Sequence, residues 1–289
     1  MSHNLGFRLS LLVSSMAASG VAWADCPDDM EIIGLSEQIL AGEPADLTAL
    51  ALSTTEDGRC AQDKLVAILS DHWGEVVGYK AGLTSAAAQA KFGVNEPVAG
   101  RLFKDGLLES GARMPADWGA LPRFEADLVV EVADSAINDA KTEAEVLAQL
   151  SAIYPFIELP DLVVADPKTL TGPAITAINV GARYGVLGEP IPITDDAQAR
   201  QHLLDALASM QVVARDQNGN ELLTAPGTAI LGHPLRSVLW LLGQGIQFAS
   251  GDLISLGSLG PLLAPEPGLT LLVTYQGLPG DPSVSVHFD

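Results

Sequence analysis

The sequence predicts an α+β fold, a β-rich core preceded by a helical N-terminal part. Three observations predict it. Up to His72, apolar residues recur at helical spacing. Phe124 to Val132 then alternates apolar and polar residues as a strand does. Toward the C-terminus, Leu253 to Leu256, Thr270 to Tyr275 and Ser283 to Phe288 are short apolar runs separated by glycine- and proline-rich turns.

The elements follow in order. Met30 to Leu40 places Ile32, Ile33, Leu35, Ile39 and Leu40 at roughly helical spacing, and Gly42-Glu43-Pro44 breaks the run. Asp46 to Leu52 is a second, short helix, and Ala61 to His72, with Leu65, Ile68 and Leu69 on one face, a third. Val76 to Lys80 is a strand ending in a glycine-rich turn. Ser85 to Phe92 is an alanine-rich helix, and Asn95-Glu96-Pro97 is a turn. Thr142 to Tyr154 is expected as a helix, Phe156 to Leu159 as a short strand, and Pro160 to Pro173, with three prolines, as a loop. Ala174 to Ala182 reads as helical or irregular, Leu203 to Met210 as a helix and Gln211 to Arg215 as a strand. Pro234 to Leu242 is a helix with His233 as N-cap and Pro234 at its first position, where a missing N–H costs little.

Composition narrows the function. The 289 residues carry a formal charge of −21, which repels phosphate backbones and anionic bilayers and argues against nucleic acid or membrane surfaces as partners. Arg8, the apolar run Leu9 to Val21 and the small-x-small pattern Ala22-Trp23-Ala24 follow the grammar of a secretory signal peptide. The expected organisation is a signal peptide over 1–24, a helical region over 25–75 and one domain over 76–289, in a periplasmic or secreted protein. The apolar run is too short to span a bilayer, and no later stretch is long and apolar enough to do so. The two cysteines, Cys26 and Cys60, would pair outside the cytosol; two buried thiols are the alternative.

Chemistry concentrates in three carboxylates. Residues two apart on a strand share a face, about 7 Å apart. In Arg123 to Glu131, Phe124, Ala126, Leu128 and Val130 form an apolar face, and Glu125, Asp127 and Glu131 lie on the other. Glu158 sits within Tyr154-Pro155-Phe156-Ile157-Glu158-Leu159, where an ionised group is costly unless paired or coordinated. Glu125, Asp127 and Glu158 with waters suit Mg²⁺ or Mn²⁺ and not zinc; the alternative is a solvated strand face. Lys80, one of six lysines, ends a strand in an apolar context, where burial would lower its pKa and make it usable as an acid/base; a snorkelling surface lysine is the alternative. His233 could serve as a base or as a helix cap. The segment Gly251 to Gly260 runs from a strand into a small-residue loop whose N–H groups could face an anion. There is no G-x-S-x-G elbow, Walker loop, dinucleotide fingerprint or H-E-x-x-H.

In order, GYKAGLT, FGVNEPVAGRLF, PRFEADLVVEV, FIELPD, LGHPLRSVLWL and GDLISLGSLGP resemble the 2-oxopent-4-enoate hydratase / 4-oxalocrotonate decarboxylase family of the fumarylacetoacetate hydrolase superfamily. The resemblance covers about Val76 to Val286. It implies a mixed β-roll or barrel-like core with a metal site at its mouth and a helical N-terminal region. It places the family's E-x-E pair on Glu125 and Asp127, its third acidic ligand on Glu158 and its lysine on Lys80. The implied substrates are small 2-oxo or 2-hydroxydienoic acids, chelated to the ion through carboxylate and 2-oxygen, with Tyr79, Leu83, His233 and Ser258 as candidate substrate contacts. A homo-oligomer is compatible with the chain. Two departures stand out: Val98 replaces an Asp common in the family, and Gly181 stands where a Ser is common. Both remove polar groups from the expected pocket. They leave two readings open: an exported lyase, or a non-catalytic relative that binds a small oxo-acid.

Overall fold

The computed structural model describes residue 1 and residues 26–289; the expected signal peptide lies outside the described residues. Helix α1 (Asp29–Ala41) opens on a capping box, in which Asp28 accepts from Glu31 N–H and Glu31 from Asp28 N–H, each at 2.9 Å. Helix α2 (Thr55–Trp73) starts a turn and a half earlier than the apolar pattern suggests, because Thr54 and Asp57 form a second capping box ahead of the first buried leucine. A disulfide joins Cys26 to Cys60 on α2, 34 residues apart. By loop entropy alone such a link stabilises by about 3–4 kcal/mol.

The remaining elements are β1 (Val76–Gly82), α3 (Ala86–Phe92), β2 (Val98–Phe103), β3 (Leu107–Glu109), β4 (Ala112–Met114), β5 (Glu125–Val132), α4 (Glu143–Leu147), β6 (Leu150–Leu159), α5 (Gly172–Ala177), β7 (Tyr184–Leu187), β8 (Ile191–Pro192), α6 (Ala197–Ser209), β9 (Gln211–Arg215), β10 (Glu221–Pro226), α7 (Arg236–Gly243), β11 (Leu253–Ser255), β12 (Thr270–Gln276) and β13 (Ser283–Phe288). They build two sheets. The larger runs β2-β1-β11-β5-β6-β7-β3, with β8 beside β6; the smaller runs β10-β9-β12-β13-β4. Pairs β1/β11, β3/β7 and β4/β13 are parallel and the others antiparallel, so the core is mixed, as expected.

One apolar core fills the space between the sheets, with Leu128, Val130 and Ile157 from the larger and Val273, Tyr275 and Val286 from the smaller, all fully buried. A second core lies between the helices α1, α2 and α5 and the edge of the larger sheet, around Ile32, Leu65, Ile178 and Val98.

The expected helix from Thr142 to Tyr154 is a correction. Helix α4 ends at Leu147, and β6 begins at Leu150 and pairs with β5 from Leu150–Val132 to Glu158–Glu125. Leu147 and Leu150 satisfy helical spacing, yet Ile153, Tyr154 and Ile157 are strand formers, and burial against both neighbours decides for the sheet. Helix α7 begins at Arg236, two residues later than expected, with Leu235 as N-cap. Among the described residues, no helix is long and apolar enough to cross a membrane.

Candidate active site

Alternation on β5 separates two environments. Phe124, Ala126, Leu128 and Val130 are at most 1% exposed and point into the core between the sheets. Glu125 and Asp127 point the other way. Register then adds the partners: Glu158 on β6 lies directly opposite Glu125, Ser255 on β11 opposite Val129, and Lys80 on β1 opposite Ser255. Residues in register share a face, so Lys80, Ser255, Glu125, Asp127 and Glu158 stand on one side of the sheet. Strands β1 and β6 are three steps apart, about 14 Å on a flat sheet. Lys80 Nζ nevertheless donates to Glu158 Oε1. The sheet is therefore curled, and this face is concave.

Glycines make room for Lys80, which is only 2% exposed. A Cβ at Gly100, opposite it on β2, would stand 3.0 Å from Lys80 Cγ and 2.9 Å from the Asn179 carbonyl. The ammonium also donates to the Val180 carbonyl at 3.2 Å. That carbonyl is presented by three successive residues in the left-handed region, Asn179 (φ 54°), Val180 (φ 55°) and Gly181 (φ 67°). For a β-branched valine this conformation is strained. Asn179 fixes the turn by behaving as a strand neighbour of β2, its Oδ1 accepting from Arg101 N–H at 2.8 Å and its Nδ2 donating to Arg101 C=O at 2.9 Å. A Cβ at Gly181 would come within 2.9 Å of the Asp161 carbonyl. Val98 is buried in the helical-side core.

The three acids differ in how they are engaged. Asp127 is fully buried; its Oδ1 accepts from Leu128 N–H at 2.6 Å and Gly257 N–H at 2.8 Å, and its Oδ2 from the Ser255 hydroxyl at 2.5 Å. The Gly251–Gly260 loop thus does face an anion, the protein's own carboxylate. Glu125 is half-buried; the nearby Ser258 hydroxyl donates to the Gly260 carbonyl at 2.8 Å. Glu158 Oε1 accepts from the Lys80 ammonium, while its buried Oε2 has no partner. Among the described residues, no group of three or more His, Cys, Asp or Glu is arranged to hold a metal ion. The cavity that Glu158 lines with Phe156 and Gly185 is about 10 Å³, room for about one water.

Burial moves the titrations toward neutrality. The Lys80 ammonium is lowered to about 8 by burial, against the pull of Glu125 and Asp127. Asp127 is pushed up to about 7 by burial, against the Ser255 hydroxyl. Burial also raises Glu125, opposed by Lys80 and Ser258.

Three expected substrate contacts are placed elsewhere. Tyr79 precedes Lys80 on β1 and so faces the opposite side, edge-on to Phe248 at 5.6 Å. Leu83 lies beyond the strand in a left-handed conformation and packs toward the helical-side core. His233 spends both ring nitrogens on the main chain: Nδ1 accepts from Leu235 N–H at 3.2 Å and Nε2 meets the Leu204 carbonyl at 3.1 Å, which assigns the Nε2–H tautomer. Sequence reasoning missed Ser255 and Tyr275. Ser255 carried the same signal as Glu158, a polar residue inside an apolar strand. Tyr275, on β12, reaches from the smaller sheet; its hydroxyl accepts from Phe156 N–H at 3.1 Å and lies 2.5 Å from the Asp127 carbonyl.

The curled mixed sheet with a smaller sheet behind it defines a fumarylacetoacetate hydrolase-type fold. It matches 4-oxalocrotonate decarboxylase from Pseudomonas putida G7, solved with magnesium and adipate, at a TM-score of 0.74 and 23% identity, over 91% of this chain and 98% of that one. It also matches fumarylpyruvate hydrolase from Pseudomonas aeruginosa, in complex with Mn²⁺ and pyruvate, at 0.53 and 14%, over 73% and 89%. No family model matches the chain. In sequence it is 31% identical over 199 residues to 2-keto-4-pentenoate hydratase of Paraburkholderia xenovorans (strain LB400), covering 67% of this chain and 70% of the relative. It is 28% identical over 218 residues to 4-oxalocrotonate decarboxylase of Pseudomonas putida, covering 74% and 78%. The chain belongs to the family of 2-keto-4-pentenoate hydratases and 4-oxalocrotonate decarboxylases, whose curated members are lyase-type enzymes.

Proposed function

We propose that the chain is an exported, divalent-metal-dependent lyase of hydratase or decarboxylase type, acting on a small 2-oxo or 2-hydroxydienoic acid. The carrying observation is the charge count of the concave face, where Glu125, Asp127 and Glu158 share a single ammonium, Lys80. With all four groups ionised the buried excess is two negative charges, which one divalent cation would cancel. Glu158 Oε2 is a buried oxygen donor without a partner. An all-oxygen donor set suits Mg²⁺ or Mn²⁺, in keeping with the ions in the two matched structures.

A cation held by this cluster would supply Lewis-acid polarisation of the substrate's 2-oxo group. The protein's own groups do the rest. Lys80, held by Glu158 and the Val180 carbonyl, gives or takes a proton at Nζ; burial sets its pKa close enough to neutrality for both forms to be present. Ser258, whose hydroxyl donates to the Gly260 carbonyl at 2.8 Å, opposes the rise that burial causes in the Glu125 pKa. The test is turnover of 2-hydroxypenta-2,4-dienoate and 4-oxalocrotonate by the purified protein with Mg²⁺ or Mn²⁺. Activity that EDTA removes, and that Lys80→Met lowers at least about a hundredfold, is the expected result. A metal-loaded protein inactive on a panel of 2-oxo acids overturns it.

That inactive outcome belongs to a second reading, a non-catalytic relative binding a small oxo-acid. Buried, apolar Val98, the turn closed at Gly181 and the water-sized cavity beside Glu158 favour it. Export is supported by the leader grammar and by the Cys26–Cys60 bridge, which suits an oxidising compartment. Thiol labelling of protein taken from the periplasmic fraction should find both cysteines blocked until reduction; two free thiols would count against export.

A further inference from the structure

We propose that the cavity between α2, the edge of the larger sheet and the turn after α7 binds a small organic monocarboxylate, with Arg59 as its counter-ion. The cavity measures about 130 Å³. Strand register sets its back wall. Tyr79 on β1 lies opposite Arg101 on β2, and both stand on the face away from Lys80 and Gly100. The thickness of the sheet therefore separates this cavity from the acids of the concave face. Helix α2 supplies Arg59, Gln62 and Asp63, at the spacings of three and four that share one helix face. Gln244 and Ile246, just beyond α7, close the third side.

The charge of this cavity runs against that of the chain, in which 36 acids stand against 15 lysines and arginines. Arg101 is compensated: it donates to Asp63 at 2.5 Å and to Gln62 Oε1 at 2.6 Å. Arg59 has no carboxylate; among the described residues its guanidinium hydrogen-bonds only to the neutral Gln244 Oε1, at 2.6 Å. Gln62 is a fixed strut, its amide donating to the Ala99 and Thr176 carbonyls at 2.8 Å each. The lining thus keeps one net positive charge, and a guanidinium fork with free N–H groups matches a carboxylate in both geometry and sign. The remaining wall is apolar: Ala99, Ile246 and the Tyr79 ring, held edge-on to Phe248 at 5.6 Å. The volume is close to that of an engineered cavity of roughly 150 Å³ that holds benzene, so an acid with a body of about six carbons fits.

Titration with benzoate, followed by ligand-observed NMR on the purified protein, tests the site. EDTA is present throughout, so that no cation on the concave face can draw the carboxylate there. Saturable binding is expected, at least about tenfold tighter than that of the neutral isostere benzamide, which leaves the Arg59 charge unmatched. Arg59→Met keeps an apolar stem and removes the charge; it should weaken benzoate at least about tenfold and leave benzamide unchanged. Ala99→Leu fills the cavity without touching a charged group and should abolish binding of both. Wild-type protein that binds benzoate no better than benzamide, or binds neither, overturns the proposal. Benzoate binding that survives Ala99→Leu overturns it as well, by placing the ligand elsewhere, and that variant decides the matter alone if Arg59→Met does not fold. None of these readouts depends on turnover, so the cavity and the proposed lyase site stand or fall separately.

Discussion

Two buried acid sites in this molecule are built on opposite plans. Asp161, just beyond β6, is 5% exposed and meets three main-chain donors, Ala120 N–H at 2.9 Å, Leu121 N–H at 2.7 Å and Val163 N–H at 3.0 Å. Its carboxylate closes two loops onto each other. On the concave face, three carboxylates share one ammonium, one hydroxyl and two N–H groups, and one oxygen is left bare. A buried acid that serves the fold is matched donor for donor. A buried acid with an unmatched oxygen costs stability, and its retention points to work the fold does not need.

The contrast can be broken by substitution. The largest expected effect is Glu158→Gln, which should lower turnover at least about a hundredfold while leaving the far-UV spectrum and denaturant midpoint nearly unchanged, because Lys80 keeps Glu125 and Asp127 as counter-charges. A collapse of stability with it would make Glu158 a second Asp161. Next, Asp161→Ala should cost about 3 kcal/mol by urea denaturation, through three stranded N–H groups; a cost under ~1 kcal/mol would remove the distinction from the other side. Tyr275→Phe should cost about 1–2 kcal/mol, since Phe156 N–H loses its acceptor between the sheets.

The smallest expected effect concerns His233. Burial holds its pKa below the ordinary 6.5. As pH falls, the unfolded chain therefore takes up the proton first. Stability from the neutral ring is complete above about 6.5 and is lost below it. His233→Gln should flatten the fall in thermal midpoint between pH 7 and pH 5 and leave turnover unchanged; loss of turnover would return His233 to the site.

Much of the site was legible because it is written in side chains. The alternation of β5 separates Glu125 and Asp127 from the core, and Glu158 and Lys80 stand out as charges in apolar strands. The groups that complete it are main-chain atoms: the Val180 carbonyl, Gly257 N–H and the Arg101 amide that Asn179 pairs with. Any residue type supplies these, so only the folded path reveals them. Tyr79 was expected beside Lys80 through proximity in sequence, yet neighbours on a strand face opposite ways. The strand β6 was half hidden by Pro155, a residue that argues against a central strand; here it sits opposite Leu128 and gives its carbonyl to Gly188 N–H at 2.8 Å.

The left-handed turn at Asn179–Gly181 constrains how this chain could change. Reinstating a serine at 181 requires a side chain at φ 67° against the Asp161 carbonyl. Any such exchange must first reshape the backbone that presents Val180 to Lys80. Restoring the common acid at 98 meets the packed flank of Gly82 and Val180. Neither position can change alone: each is locked by its neighbours.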